Sequence, residues 1–518
     1  MIRLMSKATG AGIISLLSIG ALVAGCGSGS GSSSSNGSTG GSTSASSKQL
    51  VVDLATAPAN LDPGLQYDTN TYFVFRNIFD QLLTDNPKTD QIEPEVATAW
   101  KSLSPTKWQF TIRKGIKFSN GESLTPQDVV YSLQRILSPS FDSPQESNFS
   151  EVKSVSAQGQ NVIITTTQPD PVLLGDLTTL SIVPEQYVKA HGNQYFNLHP
   201  VGSGPYMLKS WVQGSTVTLV RNPKYWGAKP NIASVEFRAV PSESTMISDL
   251  KSGVADIAYP IGPDQASEIK SASTLNLETT PTDRVAYLAF NTDQSPTNNL
   301  KVREAIAHAL NIPLMIQKLE DGYAKQVNST LTPIGFGYDS SIPKFSYNPK
   351  LAKNLLKQAG YHGQTLDFAT SPSYPQVVIQ SVQQQLGAVG INVKIVNTTQ
   401  ATYLEKVQSP NHSWGNIRFG GWQGTWPDAS TYLYPMFYSK SIWSSWSNSS
   451  FDTAIVAAQS TLNKAQRTKY IDAALQVMHS QVPAIGLYQE YDLYGVNKNV
   501  DWQPDPLENF FVAQMKWK

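Results

Sequence analysis

An α/β fold is the class that the sequence predicts, because strand patterns and helix patterns alternate along both halves of the chain. Alternating apolar and polar residues indicate strands, and apolar residues spaced three or four apart indicate the helices between them. The alternation shows no internal repeat. At about 150 residues per domain, a chain of 518 residues is expected to form two to four compact units.

The first strand is predicted where the Gly/Ser-rich start of the chain gives way to an apolar run. In chain order, the clearest strands are residues 50–54, 108–113, 162–167, 216–221 and 392–396. The clearest helix follows Thr125, because this hydroxyl N-cap precedes Pro126 at the first helical position and the acid Asp128. The other predicted helices are residues 301–310, 349–358, 377–386 and 467–478.

The balance of charge excludes two classes of protein. Lys and Arg together number 39, as do Asp and Glu, so the formal net charge is zero. A nucleic-acid-binding protein needs a basic surface that neutralises phosphates. A disordered chain combines high net charge with few aromatic residues, whereas aromatic residues make up 10% here. The single cysteine, Cys26, also excludes an internal disulfide and a Cys-based zinc site.

The start of the chain is predicted to lie outside the fold. Within residues 1–25, two basic residues precede an uncharged apolar run that has the length of an export signal. Cys26 follows two small residues, and this arrangement resembles the lipobox of bacterial lipoproteins. It implies a diacylglyceryl anchor on the Cys26 thiol. An ordinary secretory signal cleaved elsewhere and an uncleaved anchor helix are the alternatives. Residues 26–49, rich in Gly and Ser, are expected to form a flexible tether.

Motifs that carry catalysis are missing from the sequence. The six histidines show no pair at the four-residue spacing of a metal-binding helix face. The sequence also lacks H-E-x-x-H, a phosphate-binding glycine loop and a G-x-S-x-G motif. His308 is expected to be an ordinary helix histidine. We therefore predict a protein that is not an enzyme and uses no cofactor or metal. Carboxylate pairs of a glycoside hydrolase depend on distance in the fold, so that alternative stays open.

Short blocks along the body of the chain carry a family resemblance. They are residues 59–63 with 76–83, 110–121 with 125–135, 200–206, 221–226, 289–292, 302–306 and 420–422. In this order they resemble the blocks of the family 5 extracellular solute-binding proteins of ABC importers, the group that includes oligopeptide-, dipeptide- and nickel-binding proteins. The first pair is similar to the opening strand-turn-helix of that family.

The resemblance implies an α/β, two-lobed clamshell of the periplasmic-binding-protein type, in the type II subclass of large peptide-binding proteins. The first lobe would be discontinuous and comprise residues 50–286 and 488–518, and lobe II would comprise residues 287–487. Two connections, residues 286–291 and 487–491, would act as hinges. Closure on the solute would then bury it between the lobes.

The nature of the solute depends on the segment that follows Gly421. In peptide-binding members of the family, an aspartate three residues after the tryptophan pairs with the peptide ammonium, and here Thr425 stands three residues after Trp422. A buried ammonium without a carboxylate partner is costly, which disfavours the usual mode of peptide binding. Asp428 either contacts ligand or caps the turn that follows it.

Aromatic residues are dense around this segment, and about a third of them are expected to reach the cleft, Trp422 first among them. Such a lining favours an uncharged solute, such as an oligosaccharide, over a free amino acid or a metal ion. The predicted ligand-binding residues are Tyr67, Trp422, Gln423, Thr425, Trp426 and Asp428.

Together, these features predict the substrate-binding lipoprotein of an ABC transporter, which captures a peptide or an oligosaccharide-like solute and delivers it to a membrane permease. Its partners would be the solute, the ABC permease subunits and the membrane, reached through the lipid anchor, with no nucleic acid. A monomer is expected, held on the extracytoplasmic face of the cell membrane, on the extracellular side or in the periplasm. A ligand-sensing receptor and an extracellular hydrolase are the alternatives.

Overall fold

The structure is a computed structural model that describes residues 48–65, 68–86, 89, 91–424 and 426–518. The strands are β1 Leu50–Leu54, β2 Leu83–Asn86, β3 Gln91–Pro94, β4 Ala97–Ser104, β5 Lys107–Ile112, β6 Val152–Gln158, β7 Asn161–Thr166, β8 Tyr206–Val212, β9 Thr216–Arg221, β10 Ser234–Ala239, β11 Ile257–Tyr259, β12 Leu275–Phe290, β13 Ala324–Gln326, β14 Leu366–Thr370, β15 Val393–Asn397, β16 Ile417–Trp422, β17 Ala484–Asn497, β18 Val500–Asp501 and β19 Lys516–Trp517. The helices are α1 Thr69–Phe75, α2 Pro126–Ile136, α3 Leu173–Asp176, α4 Glu185–His191, α5 Asn193–Leu198, α6 Glu243–Ser252, α7 Ala266–Ser271, α8 Leu300–Ala309, α9 Ile312–Leu319, α10 Pro349–Gln358, α11 Gln376–Ala388, α12 Gln400–Val407, α13 Ala429–Phe437, α14 Ser449–Gln459 and α15 Lys464–Gln481.

One large mixed sheet runs through the molecule, in the strand order β15-β14-β16-β12-β17-β11-β1-β10-β9-β8, with β13 paired to β17. Its two longest strands are β12, with 16 residues, and β17, with 14. They pair antiparallel from Leu275 opposite Asn497 to Ala289 opposite Ala484. A separate four-stranded antiparallel sheet has the order β4-β5-β7-β6. The two long strands are therefore the elements that join the halves of the sheet.

Each half of the molecule has its own apolar core. The buried members of three clusters come from residues 50–275 and 493–515. Those of the other three clusters come from residues 285–488. Because each half buries its own apolar surface, each can keep its internal packing when the other moves.

The local signals of the sequence predicted several elements closely. Strands 50–54 and 216–221 have the predicted limits, and α10 begins and ends at the predicted residues. Helix α2 begins after Thr125, whose backbone N–H donates to Oδ2 of Asp128 at 2.8 Å. The other oxygen of Asp128 accepts the backbone N–H of Glu185 at 2.9 Å. This carboxylate therefore both caps α2 and ties it to the start of α4.

The fold opens as the expected strand, turn and helix, but the helix is not in either of the quoted stretches. The first helix, α1, lies between the two quoted stretches, and the second stretch forms the turn after it. Asp68 starts α1 by accepting the backbone N–H of Thr71 at 3.0 Å. Arg76 is buried past the end of the helix, where its Nη2 donates to Oδ1 of Asn509 at 2.8 Å. This long-range contact, which the sequence pattern does not reveal, holds the turn.

The pairing of β12 with β17 is interrupted between Pro281 and Val285. Proline has no N–H to give to the ladder, so a break beside it is expected. Side chains replace the missing bonds: Oγ1 of Thr282 donates to the carbonyl of Glu490 at 2.9 Å, and Nε2 of Gln489 donates to the carbonyl of Thr282 at 2.8 Å. The irregular point thus precedes the first predicted hinge segment and lies opposite the second.

Asp283 lies inside this interruption and is 1% exposed. The Thr332 hydroxyl donates to its Oδ1 at 2.6 Å, and the Tyr432 hydroxyl donates to its carbonyl oxygen at 2.6 Å. Its Oδ2 is buried and has no hydrogen-bond partner among the described residues. Burial raises the pKa of Asp283 to about 7, because the charged carboxylate is poorly solvated there.

This raised pKa predicts how folding stability depends on pH. Between the ordinary Asp value of about 4 and the folded value of about 7, the folded chain binds the proton and the unfolded chain releases it. Asp283 therefore makes the free energy of unfolding fall as pH rises through this window. We expect Asp283→Asn to reduce the slope of the free energy of unfolding against pH by the amount that corresponds to about one bound proton. Urea denaturation from pH 4 to 8 measures this slope.

Asp501→Asn, at an exposed position in β18, is the matched control and should leave the dependence as in the wild type. An Asp283→Asn variant whose stability falls with pH as steeply as that of the wild type would contradict the assignment.

Candidate functional site

Arg284 stands where the two long strands are interrupted, and it connects three distant segments. Its Nη2 donates to Oε1 of Glu508 at 2.8 Å and to Oε1 of Gln423 at 3.1 Å, and its Nη1 lies 3.7 Å from Oε2 of Glu490. The side chains of Arg284 and Glu490 are each 28% exposed, whereas that of Glu508 is 4% exposed. Arg284 therefore presents a charged group at the junction of the halves while neutralising a buried acid.

Behind Arg284 lies a buried group of acids and tyrosines. The Tyr259 hydroxyl donates to Oδ1 of Asp492 at 3.2 Å and is 3.4 Å from Oε1 of Glu508. The Tyr494 hydroxyl donates to the other oxygen of Asp492 at 3.4 Å, and its ring stacks on that of Tyr259. Burial, followed by the charge of Glu508, raises the pKa of Asp492 well above its usual range. Asp492 is thereby biased to its neutral form.

Two of the predicted ligand-binding residues lie where β16 ends, and the second of them, Gln423, bonds Arg284. Strand β16 pairs with β12 so that Trp422 stands opposite Val285. The Trp422 indole N–H donates to the carbonyl of Thr431 at 3.3 Å, and its ring meets Trp443 edge to face at 5.7 Å. Trp422 and Gln423 are both partly exposed. Since side chains alternate between the two faces of a strand, Trp422 lies on the face of Val285, and the structure joins the Gln423 amide to the Arg284 guanidinium.

Asp428 has the contacts of the capping alternative. It is 4% exposed, and its Oδ1 accepts the backbone N–H of Ser430 at 2.9 Å at the start of α13. The same oxygen accepts Nη2 of Arg467 at 2.7 Å, and Arg467 is itself buried. Both acceptor roles are internal to the fold, so direct contact of Asp428 with ligand stays a prediction without support here.

Trp426 is partly exposed and lies against Gly175 of helix α3. Three further predicted residues, Cys26, Tyr67 and Thr425, lie outside the described residues. Their roles stay predictions.

The aromatic residues around this segment divide into two groups. Buried members are Tyr432, Phe437 and Trp446, and partly exposed members are Trp422, Trp426, Tyr434, Tyr438 and Trp443. Tyr434 and Tyr438 stack at 4.7 Å. Some of these residues thus belong to the core. The expectation that about a third of them reach the cleft stays a prediction.

Sequence reasoning missed Arg284, Glu490 and Glu508. A signal for the first was present, because the polar run Thr282-Asp283-Arg284 comes directly before the apolar stretch that starts at Val285. The partners of Arg284 carried no such local signal, since they are brought to it by the return of the chain through β17.

Three further points concern His308, metal binding and membrane spans. His308 is a satisfied helix histidine, with Nδ1 2.8 Å from the carbonyl of Ser346. Within the described ranges, His, Cys, Asp and Glu side chains form no group of three or more that could hold a metal ion. In the same part of the chain, every helix is too short or too polar to cross a membrane.

Comparison with known proteins assigns this arrangement to a family. Residues 91–444, more than half of the chain, match the family described as bacterial extracellular solute-binding proteins, family 5, middle region. The probable D,D-dipeptide-binding periplasmic protein DdpA of Escherichia coli K12 is 27% identical over 469 residues, covering 87% of this chain and 90% of DdpA. Heme-binding protein A of Haemophilus influenzae is 28% identical over 482 residues, covering 85% of this chain and 87% of that protein.

The fold agrees with this match. The periplasmic binding protein DppA of Helicobacter pylori, solved in complex with the peptide STSA, superposes with a TM-score of 0.78 at 24% identity, covering 91% of this chain and 98% of DppA. This confirms the predicted two-lobed α/β clamshell of type II. The relatives are binding proteins, which confirms that the chain is not an enzyme and removes the hydrolase alternative. The chain belongs to the family 5 extracellular solute-binding proteins of ABC importers.

Proposed function

We propose that this protein captures a short peptide or an oligosaccharide-like solute between two lobes and delivers it to the permease of an ABC importer. Lobe I comprises residues 50–286 and 488–518, and lobe II comprises residues 287–487. The observation that carries the proposal is the hydrogen bond between Gln423 and Arg284 at the junction of the two halves, with the partly exposed Trp422 next to Gln423 in the chain.

The chemistry of this grouping suits a polar, partly apolar solute. Trp422 offers an apolar ring with a polar edge, and Gln423 and Arg284 supply hydrogen-bond donors. The partly exposed carboxylate of Glu490 adds an acceptor. Peptide units and sugar hydroxyls both donate and accept hydrogen bonds, so either can pair with this set. The separate cores of the halves allow closure, and tighter binding by the closed form would mark the loaded protein for the permease.

The relatives support a peptide-like solute, though not one particular solute. DdpA carries D,D-dipeptide binding in its name, and the Helicobacter DppA was solved with a peptide. Heme-binding protein A is named for a different ligand. The shared fold therefore serves several solutes, and the residues at the junction decide which of them this chain binds.

The solute can be identified directly. Native mass spectrometry of the purified protein should show a bound peptide or oligosaccharide, and titration of that compound should change the tryptophan fluorescence. Trp422→Ala should weaken its binding by about tenfold or more, since buried aromatic anchors carry much of an interface's affinity. Trp108→Ala, on the separate four-stranded sheet, is the control. Equal affinities for the two variants would exclude Trp422 from the site.

We propose that Thr425 takes the place of the aspartate that usually pairs with a peptide ammonium. We expect Thr425→Asp to tighten binding of peptides with a free N-terminus by about tenfold, because a carboxylate would pair with the ammonium. Isothermal titration with a free and an N-acetylated dipeptide measures the difference. Thr425→Asn, equal in size but neutral, is the matched control. If Thr425→Asp bound both dipeptides as the wild type does, residue 425 would lie outside the ammonium site.

We also propose that the protein is anchored to the extracytoplasmic face of the cell membrane as a monomer. Residues 1–25 would direct export, Cys26 would carry the lipid, and residues 26–49 would tether the folded body. The support is the placement of the only cysteine immediately after an apolar export signal.

Replacement of the cysteine tests this anchor. Cys26→Ser should move the protein from the membrane fraction to the soluble extracytoplasmic fraction, because stable anchoring needs the acyl chains. Immunoblots of the separated fractions measure the shift, and Ser28→Ala is the control. Unchanged membrane retention of Cys26→Ser would favour an uncleaved anchor helix.

A further inference from the structure

Trp426 makes a contact that crosses from lobe II to lobe I. Its indole lies on Gly175 of helix α3. A Cβ added to residue 175 would stand 2.4 Å from Cγ, 2.7 Å from Cβ and 2.8 Å from Cδ1 of Trp426. Carbon atoms pack at about 3.5–4.0 Å, so the two segments meet here because residue 175 has no side chain. These atoms are close to the backbone of Trp426, so a rotation of the indole ring would not relieve such a clash.

The glycine side of the contact is fixed to lobe I. Leu173 and Leu177 flank Gly175 and are fully buried in the core of the four-stranded sheet. Asp170 starts the helix, since its Oδ1 accepts the backbone N–H groups of Val172 and Leu173, each at 3.1 Å. Helix α3 therefore cannot shift away without disturbing that core.

The tryptophan side is fixed to lobe II. The carbonyl of Trp426 accepts the backbone N–H of Asp428 at 2.8 Å and the hydroxyl of Thr431 at 2.9 Å. The carbonyl of the next residue, Pro427, accepts the backbone N–H of Phe336 at 2.8 Å. These bonds hold the backbone of Trp426 in place, so the position of its indole follows the position of lobe II.

A charge interaction crosses at the same place. Burial raises the pKa of Asp170 to about 6, and the guanidinium of Arg467 in lobe II is close enough to oppose this rise. Arg467 is also the partner of Asp428, two residues after Trp426. The segment of lobe I around α3 thus meets the segment of lobe II around Trp426 through the contact of Gly175 with the indole, and the charge of Arg467 acts on Asp170 nearby.

We propose that Gly175 is a positioning residue for closure, against which Trp426 packs when the two lobes meet. This packing contact sets how closely the lobes approach and so contributes to the affinity of the closed form. Trp426 then acts as a latch between lobes rather than as a ring that stacks on solute. The contact stands on the geometry alone, whereas its effect on affinity rests on the proposed function.

Cross-linking tests the contact without any solute. In the full chain carrying Cys26→Ser, the pair Gly175→Cys and Trp426→Cys supplies the only two thiols. The Cβ atoms would start 2.7 Å apart, and a disulfide needs about 3.8 Å, a small retreat once the indole is gone. Mild oxidation should convert most of the protein to an intramolecular disulfide, seen as loss of both thiols by intact mass.

The control pair is Gly387→Cys with Trp426→Cys. Gly387 is also helical, but no atom lies within 4 Å of its added Cβ. This pair should stay reduced. If the Gly175 pair stays as reduced as the control pair under the same oxidant, the latch is wrong.

Alanine variants test the consequence for binding. Retention of a defined pool of di- to pentapeptides, read by mass spectrometry, should fall about tenfold in Gly175→Ala, the size expected for overpacking. Gly387→Ala should retain the wild-type level. In a Trp426→Ala background, Gly175→Ala should cause no further loss, because the clashing ring is absent. Because each lobe has its own core, the lobes of Gly175→Ala can stay apart and avoid the clash, so its midpoint of thermal unfolding should match that of the wild type.

The outcomes separate the two proposals. A disulfide in the test pair with no peptide retained by the wild type would leave the latch standing and refute peptide capture. Wild-type retention by Gly175→Ala, or an equal loss in the Trp426→Ala background, would overturn the role of Gly175 in closure.

Discussion

The antiparallel pairing of β12 with β17 is the constraint on which the rest of the structure depends. These strands run through both halves of the large sheet, while the apolar cores of the halves draw on separate stretches of chain. The relative position of the halves is therefore set by the backbone of the two strands and by side chains at their junction. The break beside Pro281 weakens the ladder at that junction, which allows movement without unpairing either half.

Arg284 gives this junction its chemistry. It bonds Glu508, 224 residues away, and Gln423, 139 residues away. Removing the guanidinium would strand a buried carboxylate, which is more costly than losing an exposed ion pair. One side chain thus stabilises the return of the C-terminal segment and fixes the Gln423 amide at the junction. The fold and the proposed site therefore share this residue.

The sequence predicted what short-range chemistry decides. The cap at Thr125 and Asp128 and the limits of β1, β9 and α10 follow from neighbours in the chain. The family resemblance supplied the clamshell and the region around Trp422. Neither source could predict that Glu508 meets Arg284 or that Trp426 meets Gly175. These contacts depend on the return of β17 and on the approach of two lobes, and no local pattern encodes either of them.

The position of Asp428 limits how this protein can meet a charged solute. Its carboxylate is shared between the first turn of α13 and the buried Arg467. Turning it toward an ammonium would leave that guanidinium unpaired, at a cost of about 3–5 kcal/mol for a buried pair. An interaction with one ammonium would not offset this cost. Charged groups of a solute would instead meet Arg284 and Glu490, whose side chains are partly exposed and already balance each other.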